Sequence, residues 1–283
     1  MKVGIMVNAG KPFARRTARG LVDVLVARKI TPLLHDETAA LLGLPIGHAA
    51  ETLAAQADMI AILGGDGTML SSMEKLGVME KPVAGINIGT LGFLTSCTDS
   101  ELELFADSLL AKDFEVSTRT LLDAAIHFPD GKTQSFIALN EVVLARGQTG
   151  KLVNLHATIN GITVNRYRAD GLIVATPTGS TAYSLSAGGP LISPAARVLV
   201  ITPICPHSLS DRSLVVDDKD EIGIDPECRD DEPLFFTVDG RDIIPIPQGA
   251  KILIRRARHA VHLVRLRNRN FYQALRQKLG WNQ

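Results

Sequence analysis

The sequence predicts an α/β domain with a doubly wound parallel sheet, followed by an all-β domain and a short C-terminal helix. Over residues 1–113, short apolar runs alternate with segments of helical periodicity. From Phe114 onward, alternating β-branched runs are separated by hairpin signals. The length of 283 residues and the hydrophobic fraction of 46% suit two domains, each with its own core. We therefore expect domains at residues 1–113 and 114–269, with 270–283 forming a helix that returns to the first domain.

Four strands, each followed by a helix, are predicted in the first domain. The strands lie at residues 3–7, 30–35, Met59–Leu63 and Pro82–Asn87. One helix enters near Pro12, and the others cover residues 49–57, 69–77 and 101–112, with Thr68 and Asp99 expected to cap the last two. In such a sheet, ligands bind beyond the carboxyl ends of the strands.

A glycine-rich turn, G-G-D-G-T at residues 64–68, stands at that edge of the predicted sheet. Its bare backbone N–H groups can converge on a phosphate near the start of a helix. Asp66 would repel such an anion unless a cation or a proton-transfer role compensates its charge. Two interpretations stay open: Asp66 is a helix cap in a tight turn, or it carries chemistry. A second glycine-containing turn, at residues 89–93, ends the next strand at the same edge.

The second domain is predicted from alternating runs and turn dipeptides. Asp130-Gly131, Asn160-Gly161 and Asp239-Gly240 are hairpin signals. A helix is expected at residues 180–187, closed by two glycines and a proline. The strands are expected at residues 122–128, 135–144, 152–160, 162–168, Gly171–Ala175, Leu234–Val238 and 252–254.

Asn140 and Glu141 are the polar pair inside the otherwise apolar run at residues 135–144. If the alternation holds, one of them points at the interior or at a cleft, where an unpartnered carboxylate is expensive. The alternative is that the pair belongs to a strand-end bulge or to a solvated strand face, without a role in binding. A third polar stretch, residues 168–190, is rich in hydroxyl side chains and contains Tyr183, which suits a nucleoside ligand, although Ser and Thr also cap helices.

Composition limits the classes of partner and compartment. The 30 basic residues balance 30 acidic ones, so no global field favours nucleic acid or an anionic membrane. Cys97, Cys205 and Cys228 are widely spaced without a C-x-x-C, which favours a reducing compartment. The arginine-rich segment at residues 251–269 is expected to be a solvated strand face. No cleavage signal, membrane-length run or metal-ligand motif is found, so we expect a cytoplasmic protein without membrane or nucleic-acid partners.

Three motifs in order, G-G-D-G-T at 64–68, N-E at 140–141 and the long run at 169–190, resemble those of bacterial NAD kinases. N-I-G-T-L-G-F-L, V-D-G and a closing F-Y-x-x-L-R-x-K-L-G-W extend the resemblance over nearly the whole chain. It implies transfer of the ATP γ-phosphoryl group to the 2′-hydroxyl of the adenosine ribose of NAD, giving NADP. It also implies Mg²⁺ as cofactor and a homodimer or homotetramer in which subunits share the site.

The resemblance also implies roles for individual residues. Asp66 would be the general base with Gly67 beside it, and Phe93 would form the floor of the site. Asn140 and Glu141 would hold the ribose and adenine groups of NAD. The other implied contacts are Arg168 and Asp170 at the far end of the dinucleotide, Thr181, Ala182, Tyr183, Ser184, Leu185 and Ser186 around the adenosine, and Lys151 at a position of variable type. Asp239 matches an acidic position near the site, whereas Arg241 departs from the amide often found there. No metal-ligating residue is predicted.

Two other functions are compatible with part of the sequence. A lipid or sphingoid kinase shares G-G-D-G-T, but the run at 169–190 and the lack of an amphipathic membrane-facing segment disfavour it. A non-catalytic dinucleotide-binding regulator would not need Asp66. An assay with ATP, Mg²⁺ and NAD separates the three.

Overall fold

A computed structural model describes residues 1–77, 80–147, 151–227, 234–267 and 269–281. The chain divides into two compact units, one made of Met1–Thr118 with Val261–Gln283 and the other of Arg119–Ala260. The boundaries fall inside two long strands, at residues 114–127 and 251–266. No helix in the described part of the chain combines the length and the apolar composition that a membrane crossing requires. Cys228 lies outside the described residues.

The first unit is built on a parallel sheet in the order β4-β3-β1-β2. The last strand of the chain, β17, joins its edge by pairing in parallel with β4. All five residues of β3 are buried, as expected for a strand covered on both faces. The strands are β1 (Lys2–Val7), β2 (Thr31–Leu34), β3 (Met59–Leu63), β4 (Pro82–Asn87), β5 (Cys97–Thr98) and, shared with the second unit, β17 (Lys251–Leu266).

Helices cover this sheet with their apolar faces. Helix α1 directs Ala14, Ala18, Leu21 and Leu25 into the core, at the spacing that one helix face requires. The C-terminal helix α7 belongs to this unit, where the Phe271 ring lies 6.3 Å from that of Phe93. The helices are α1 (Ala14–Ala27), α2 (Asp36–Leu42), α3 (Ala50–Gln56), α4 (Asp66–Leu76), α5 (Leu102–Ala111) and α7 (Phe271–Leu279), with α6 in the second unit.

Two predicted caps in this unit are wrong. Helix α4 begins at Asp66, three residues earlier than predicted, with Gly65 as its N-cap, because the N–H groups of Thr68 and Met69 donate to the Gly65 carbonyl. Thr68 therefore lies inside the helix. Asp99 does not cap α5 either, since Thr98 and Glu101 form a capping box at the start of the 3₁₀ turn that leads into the helix. Helix α2, seven residues long, is missing from the prediction.

Two antiparallel sheets form the second unit. One has the order β13-β12-β11-β8-β15-β16, and the other contains β10-β9-β14-β17 together with β6 and β7. Their inward faces share one apolar core. The strands are β6 (Phe114–His127), β7 (Thr133–Ala138), β8 (Glu141–Arg146), β9 (Val153–Ile159), β10 (Ile162–Ala169), β11 (Gly171–Ala175), β12 (Val198–Ile204), β13 (Leu214–Asp217), β14 (Ile222–Glu227), β15 (Leu234–Val238) and β16 (Arg241–Ile246); helix α6 is Tyr183–Ser186.

The hairpin predictions are confirmed at residues 160–161 and 239–240, where both turn residues have positive φ. The single strand expected at 135–144 is wrong. The chain bends at Leu139 and Asn140, so that β7 pairs with β6 in one sheet while β8 pairs with β11 and β15 in the other. The overall prediction of an α/β domain followed by an all-β domain is confirmed.

Two neighbouring arginines of strand β17 are paired with carboxylates. Arg255 lies 3.2 Å from Asp123, and Arg256 lies 2.7 Å from Asp218. The predicted strand at residues 252–254 covers only part of β17, which has 16 residues. The prediction is too short because the arginines on the exposed face hide the alternation of apolar and polar residues.

Candidate active site

The G-G-D-G-T turn joins β3 to α4 at the carboxyl edge of the parallel sheet. Its first N–H, from Gly64, donates to the carbonyl of Ile86 on β4 at 2.9 Å. Gly64 has a φ of 156°, and a Cβ there would lie 2.4 Å from Thr68 Oγ1. Nothing lies within 4 Å of the position that a Cβ on Gly67 would take. Space beside the backbone is therefore filled at Gly64 and empty at Gly67.

The carboxylate of Asp66 binds the second glycine turn. Its two oxygens accept the N–H groups of Phe93 at 2.9 Å and Leu94 at 3.0 Å, 27 and 28 positions away. The interpretation of Asp66 as a cap of its own helix is wrong, because Asp66 is already helical and makes no such bond. Each carboxylate oxygen has two acceptor sites, so both oxygens retain capacity to face a proton or a cation.

Gly92 gives the Asp66 carboxylate its space. A Cβ on Gly92 would lie 2.2 Å from Asp66 Oδ1 and 2.8 Å from Asp66 Cγ. The N–H of Gly92 donates instead to Thr95 Oγ1 at 2.8 Å, which holds the turn in place. The sequence motif predicts this turn but gives Gly92 no role.

Gly92→Ala is expected to lower turnover without removing any charge, because the new methyl group must displace the Asp66 carboxylate. We expect the kcat to fall roughly tenfold or more, since misplacement by about 1 Å at a reacting group costs up to 10²-fold. Steady-state kinetics with a melting curve checks this. Gly131→Ala is the control, since its Cβ would meet nothing within 4 Å, although its positive φ carries its own strain. A folded Gly92→Ala protein with unchanged kcat would show that the carboxylate position is not critical.

Asn8, in the turn that follows β1, was missed by the sequence analysis. Its side-chain amide donates to Thr68 Oγ1 at 3.2 Å, and its oxygen accepts the N–H of Gly10 at 3.0 Å. Three turns, following β1, β3 and β4, are thus joined by hydrogen bonds at one edge of the sheet. The Asn-Ala-Gly turn signal was visible in the sequence, but its partner 60 positions away was not.

In the second unit, Asn140 and Glu141 lie where the chain bends between β7 and β8. Asp239 receives three consecutive N–H groups there, from Leu139 at 2.9 Å, Asn140 at 2.8 Å and Glu141 at 3.1 Å. The Asp239 N–H in turn donates to the Glu141 carbonyl at 2.9 Å. Arg241 Nη2 lies 3.7 Å from Asp239 Oδ2. Burial raises the pKa of Asp239, against the lowering effect of these donors.

Glu141 is a buried carboxyl group with one unsatisfied oxygen. Its residue is 5% exposed, and its Oε2 has no hydrogen-bond partner. Burial, and then the nearby Asp239, raise the pKa of Glu141 to about 8, while a hydrogen bond from the backbone of Tyr183 acts in the opposite direction. A perturbed carboxyl with an unused oxygen is typical of a ligand site. The bulge interpretation of this pair does not account for that oxygen.

The hydroxyl-rich segment packs against this bend. Thr176 Oγ1 donates to the Leu139 carbonyl at 2.6 Å, and a Cβ on Gly179 would lie 2.1 Å from the Asn140 carbonyl oxygen. Ser184 is buried, with its hydroxyl 3.0 Å from that of Thr202. Of the other predicted adenosine contacts, Tyr183 and Ser186 are exposed, and Thr181, Ala182 and Leu185 are half-buried. Several hydroxyls therefore serve the fold, and the exposed rim is available for a ligand.

Asp170 lies apart from this cluster. Asp170 forms an ion pair with Arg146, which was not predicted, with 2.5 Å between Nε and Oδ1. Glu141 and Arg146 mark the two ends of β8, so the ion pair and Glu141 are separated by roughly 17 Å of extended strand. Arg168 and Lys151 are exposed. The structure brings Asn140, Glu141 and Tyr183 together, but it does not bring Asp170 to them.

Among the described residues, no group of three or more His, Cys, Asp or Glu side chains is placed to hold a metal ion.

Most of the chain matches two domains of a known protein family. Residues 3–114 match the ATP-NAD kinase N-terminal domain, and residues 139–266 match the ATP-NAD kinase C-terminal domain. The chain belongs to the NAD kinase family. Membership confirms the predicted NAD kinase function, with NAD and ATP as substrates, and disfavours the lipid kinase and the non-catalytic regulator.

Individual NAD kinases match along the whole chain. The NAD kinase of Geobacter sulfurreducens is 36% identical over 282 residues, which cover 100% of this chain and 99% of that protein. The NAD kinase of Moorella thermoacetica is 39% identical over 278 residues, with 98% and 89% covered. Yeast NADH kinase, solved with NADH, aligns with a TM-score of 0.89 at 27% identity and covers 100% of this chain and 88% of that chain. An Archaeoglobus fulgidus NAD kinase solved with ATP aligns with a TM-score of 0.78 at 25% identity, covering 99% of both.

Proposed function

We propose that this NAD kinase is a phosphotransferase with an alcohol acceptor, which moves the γ-phosphoryl group of ATP to the 2′-hydroxyl of the adenosine ribose of NAD. The products are ADP and NADP. The observation that carries the proposal is the Asp66 carboxylate, held by two backbone N–H groups in a glycine turn at the carboxyl edge of the parallel sheet. Ligands of open α/β sheets bind at this edge.

Asp66 acts as the general base of the reaction. The 2′-oxygen attacks the γ-phosphorus, its proton passes to an Asp66 oxygen, and the bond from phosphorus to the bridging oxygen breaks with its electron pair left on ADP. A ribose hydroxyl is a weak acid, so the proton moves late in the transition state. Phosphoryl transfer depends mainly on positioning and charge neutralisation, and the fixed carboxylate supplies the positioning of the proton acceptor.

Mg²⁺ accompanies ATP in this proposal, because it binds phosphate oxygens readily and needs few protein ligands. When bound, it neutralises charge on the transferring phosphoryl group. Asp66 is the side chain in the glycine turn that fits a contact to such a cation, since each of its oxygens accepts only one backbone N–H. Its charge, which argues against a plain phosphate cradle, is then compensated.

The NAD contacts come from the second unit. Asn140 and Glu141 bind the ribose and adenine groups, and the unpaired Glu141 oxygen supports this assignment. The exposed rim of residues 181–186 contacts the adenosine, while Arg168 and Asp170 serve the far end of NAD. Lys151 makes a peripheral contact with NAD. Gly67 lies beside the general base Asp66, and Phe93 forms the floor of the site. The separation of Asp170 from Glu141 along β8 is compatible with contacts to two ends of one extended ligand.

The protein works in the cytoplasm as a homodimer or homotetramer, without nucleic-acid or membrane partners. The balanced charge supports the last point. Size-exclusion chromatography with light scattering measures the oligomeric state. An active monomer would contradict the proposal that subunits share the site.

Incubation of the purified protein with ATP, Mg²⁺ and NAD is expected to yield NADP, read with an NADP-specific dehydrogenase. Phosphorus NMR of the product should place the new phosphate on the adenosine 2′ carbon. Parallel reactions with polyphosphate and with diacylglycerol test the donor and the acceptor. A 3′ or 5′ product, or a phosphorylated lipid, would contradict the proposed reaction.

A further inference from the structure

Asp239 is a buried carboxylate that the proposed reaction does not use. It lies on the two-residue turn between β15 and β16, about 100 positions from the residues that it binds. Its side chain is 3% exposed. All its backbone donors come from the three consecutive residues 139–141. Asp239 therefore contacts the Asn140–Glu141 segment through the main chain.

Three consecutive N–H groups can reach one carboxylate only where the chain leaves the strand conformation. In a strand, successive residues alternate in direction, so neighbouring N–H groups point to opposite sides. The bend between β7 and β8 turns all three inward, toward Asp239. These N–H groups would otherwise be buried without acceptors, which native structures avoid. The Asp239 carboxylate thus stabilises the bend that sets the position of Asn140 and Glu141.

The charge of Asp239 also acts on Glu141. Burial and this charge both oppose ionisation of the Glu141 carboxyl and raise its pKa to about 8. Two other groups act on this pair of carboxyl groups. The Tyr183 backbone favours the ionised form of Glu141, and Arg241 Nη2 lies 3.7 Å from Asp239 Oδ2. In the protonated form, the unsatisfied Oε2 of Glu141 is able to donate a hydrogen bond.

We propose that Asp239 is a positioning residue for NAD, which holds the Asn140–Glu141 bend so that the unsatisfied oxygen of Glu141 forms a hydrogen bond with the adenosine. This inference rests on the proposed function, in which Glu141 contacts NAD. It assigns the V-D-G turn a task distinct from the chemistry at Asp66. It also explains why an acidic residue is kept beside another buried acid, at a cost in electrostatic repulsion.

The test compares Asp239→Asn with Asp218→Asn in the whole enzyme. Asp218 is the matched control, because it is 2% exposed and bound to Arg256 in the same unit, and it has no place in the proposed site. Asp239→Asn should raise the KM for NAD roughly tenfold, as expected when a buried hydrogen-bond partner is lost. The KM for ATP should stay within about twofold, because the proposed function gives ATP no contact with the bend. Asp218→Asn should leave both KM values near those of the original enzyme.

The pH profile supplies a readout that a purely structural role would not move. In the original enzyme, NAD binding should weaken as pH rises through the pKa of Glu141, about 8, because the donor proton is lost. Asp239→Asn removes a negative neighbour, so the pKa of Glu141 falls and the weakening should move to lower pH. In Asp218→Asn the profile should not move.

The outcomes are distinguishable. A folded Asp239→Asn protein with normal NAD KM and an unmoved pH profile would overturn the inference, even if Glu141→Gln still alters NAD binding. If Asp239→Asn does not fold, titration calorimetry of NAD on the original enzyme decides, and an affinity that is flat from about pH 6 to about pH 9 overturns it. Absence of NADP formation in the original enzyme, or normal NAD binding in both Asn140→Ala and Glu141→Ala, would instead count against the proposed function.

Discussion

Asp66→Asn is expected to reduce turnover by roughly 10²–10⁴-fold, the contribution of a general base, while NAD binding stays nearly unchanged. The side chain keeps its size but no longer accepts the proton of the 2′-hydroxyl. One hydrogen bond to the second glycine turn is also lost, because the new amide group faces a backbone N–H. That loss should lower the free energy of unfolding by about 1–3 kcal/mol.

The two effects are separated by measuring kcat, NAD affinity by calorimetry, and urea unfolding on one preparation. Asp58→Asn is the control, since Asp58 also accepts a backbone N–H, from Lys2 at 2.7 Å, and precedes the same strand at its other end. It should retain nearly normal turnover. If folded Asp66→Asn protein turns over at a near-normal rate, Asp66 is not the base, and Glu141 or Asp170 becomes the next residue to test.

Glu141→Gln is expected to stabilise the protein above pH 8 and to remove part of its pH dependence. In the folded chain the pKa of Glu141 is raised to about 8, against a usual value of 4.5. Between these two values the unfolded state loses the proton and the folded state keeps it. Stability therefore falls as pH rises through this window and is constant above it, with a total loss on the order of a few kcal/mol.

Glutamine cannot ionise, so the variant should lack this loss. Urea unfolding at several pH values checks it, with Glu227→Gln as the control on an exposed residue at the end of β14. The glutamine amide also imitates the donor of a protonated carboxyl, so NAD affinity should no longer weaken at alkaline pH. Equal stability of both proteins at every pH would show that Glu141 ionises normally in the folded chain.

The sequence predicted best those elements whose signals are local. Met59–Leu63 and Pro82–Asn87 were placed with the observed bounds, because a strand buried on both faces is an unbroken apolar run between turn residues. The preference of threonine for the N-cap predicts a cap at Thr68, but Gly65 takes that position and the helix begins three residues earlier. The first helical hydrogen bonds decide this, since the N–H groups of Thr68 and Met69 donate to the Gly65 carbonyl at 2.9 and 3.1 Å.

The candidate site was predicted from motifs, and its supporting contacts were not. Asp66, Asn140 and Glu141 stand in short runs that a reader of the sequence can find. Their partners lie 27–28 or about 100 positions away, and no periodicity links Asp66 to Leu94 or Asp239 to Asn140. The prediction of one strand at 135–144 is wrong for the same reason, since the bend between β7 and β8 is held by the side chain of Asp239, which lies on a distant hairpin.

The bonds from Asp66 to Phe93 and Leu94 end on main-chain nitrogens, and this makes the arrangement tolerant of substitution. A backbone N–H is supplied by nineteen of the twenty amino acids, so most side chains at positions 93 and 94 would leave both hydrogen bonds in place. Only proline, which lacks the donor, would remove one directly. A library randomised at position 93, whose side chain is half-buried, should therefore yield many folded proteins with an intact carboxylate position, and their differences would report on side-chain contacts alone.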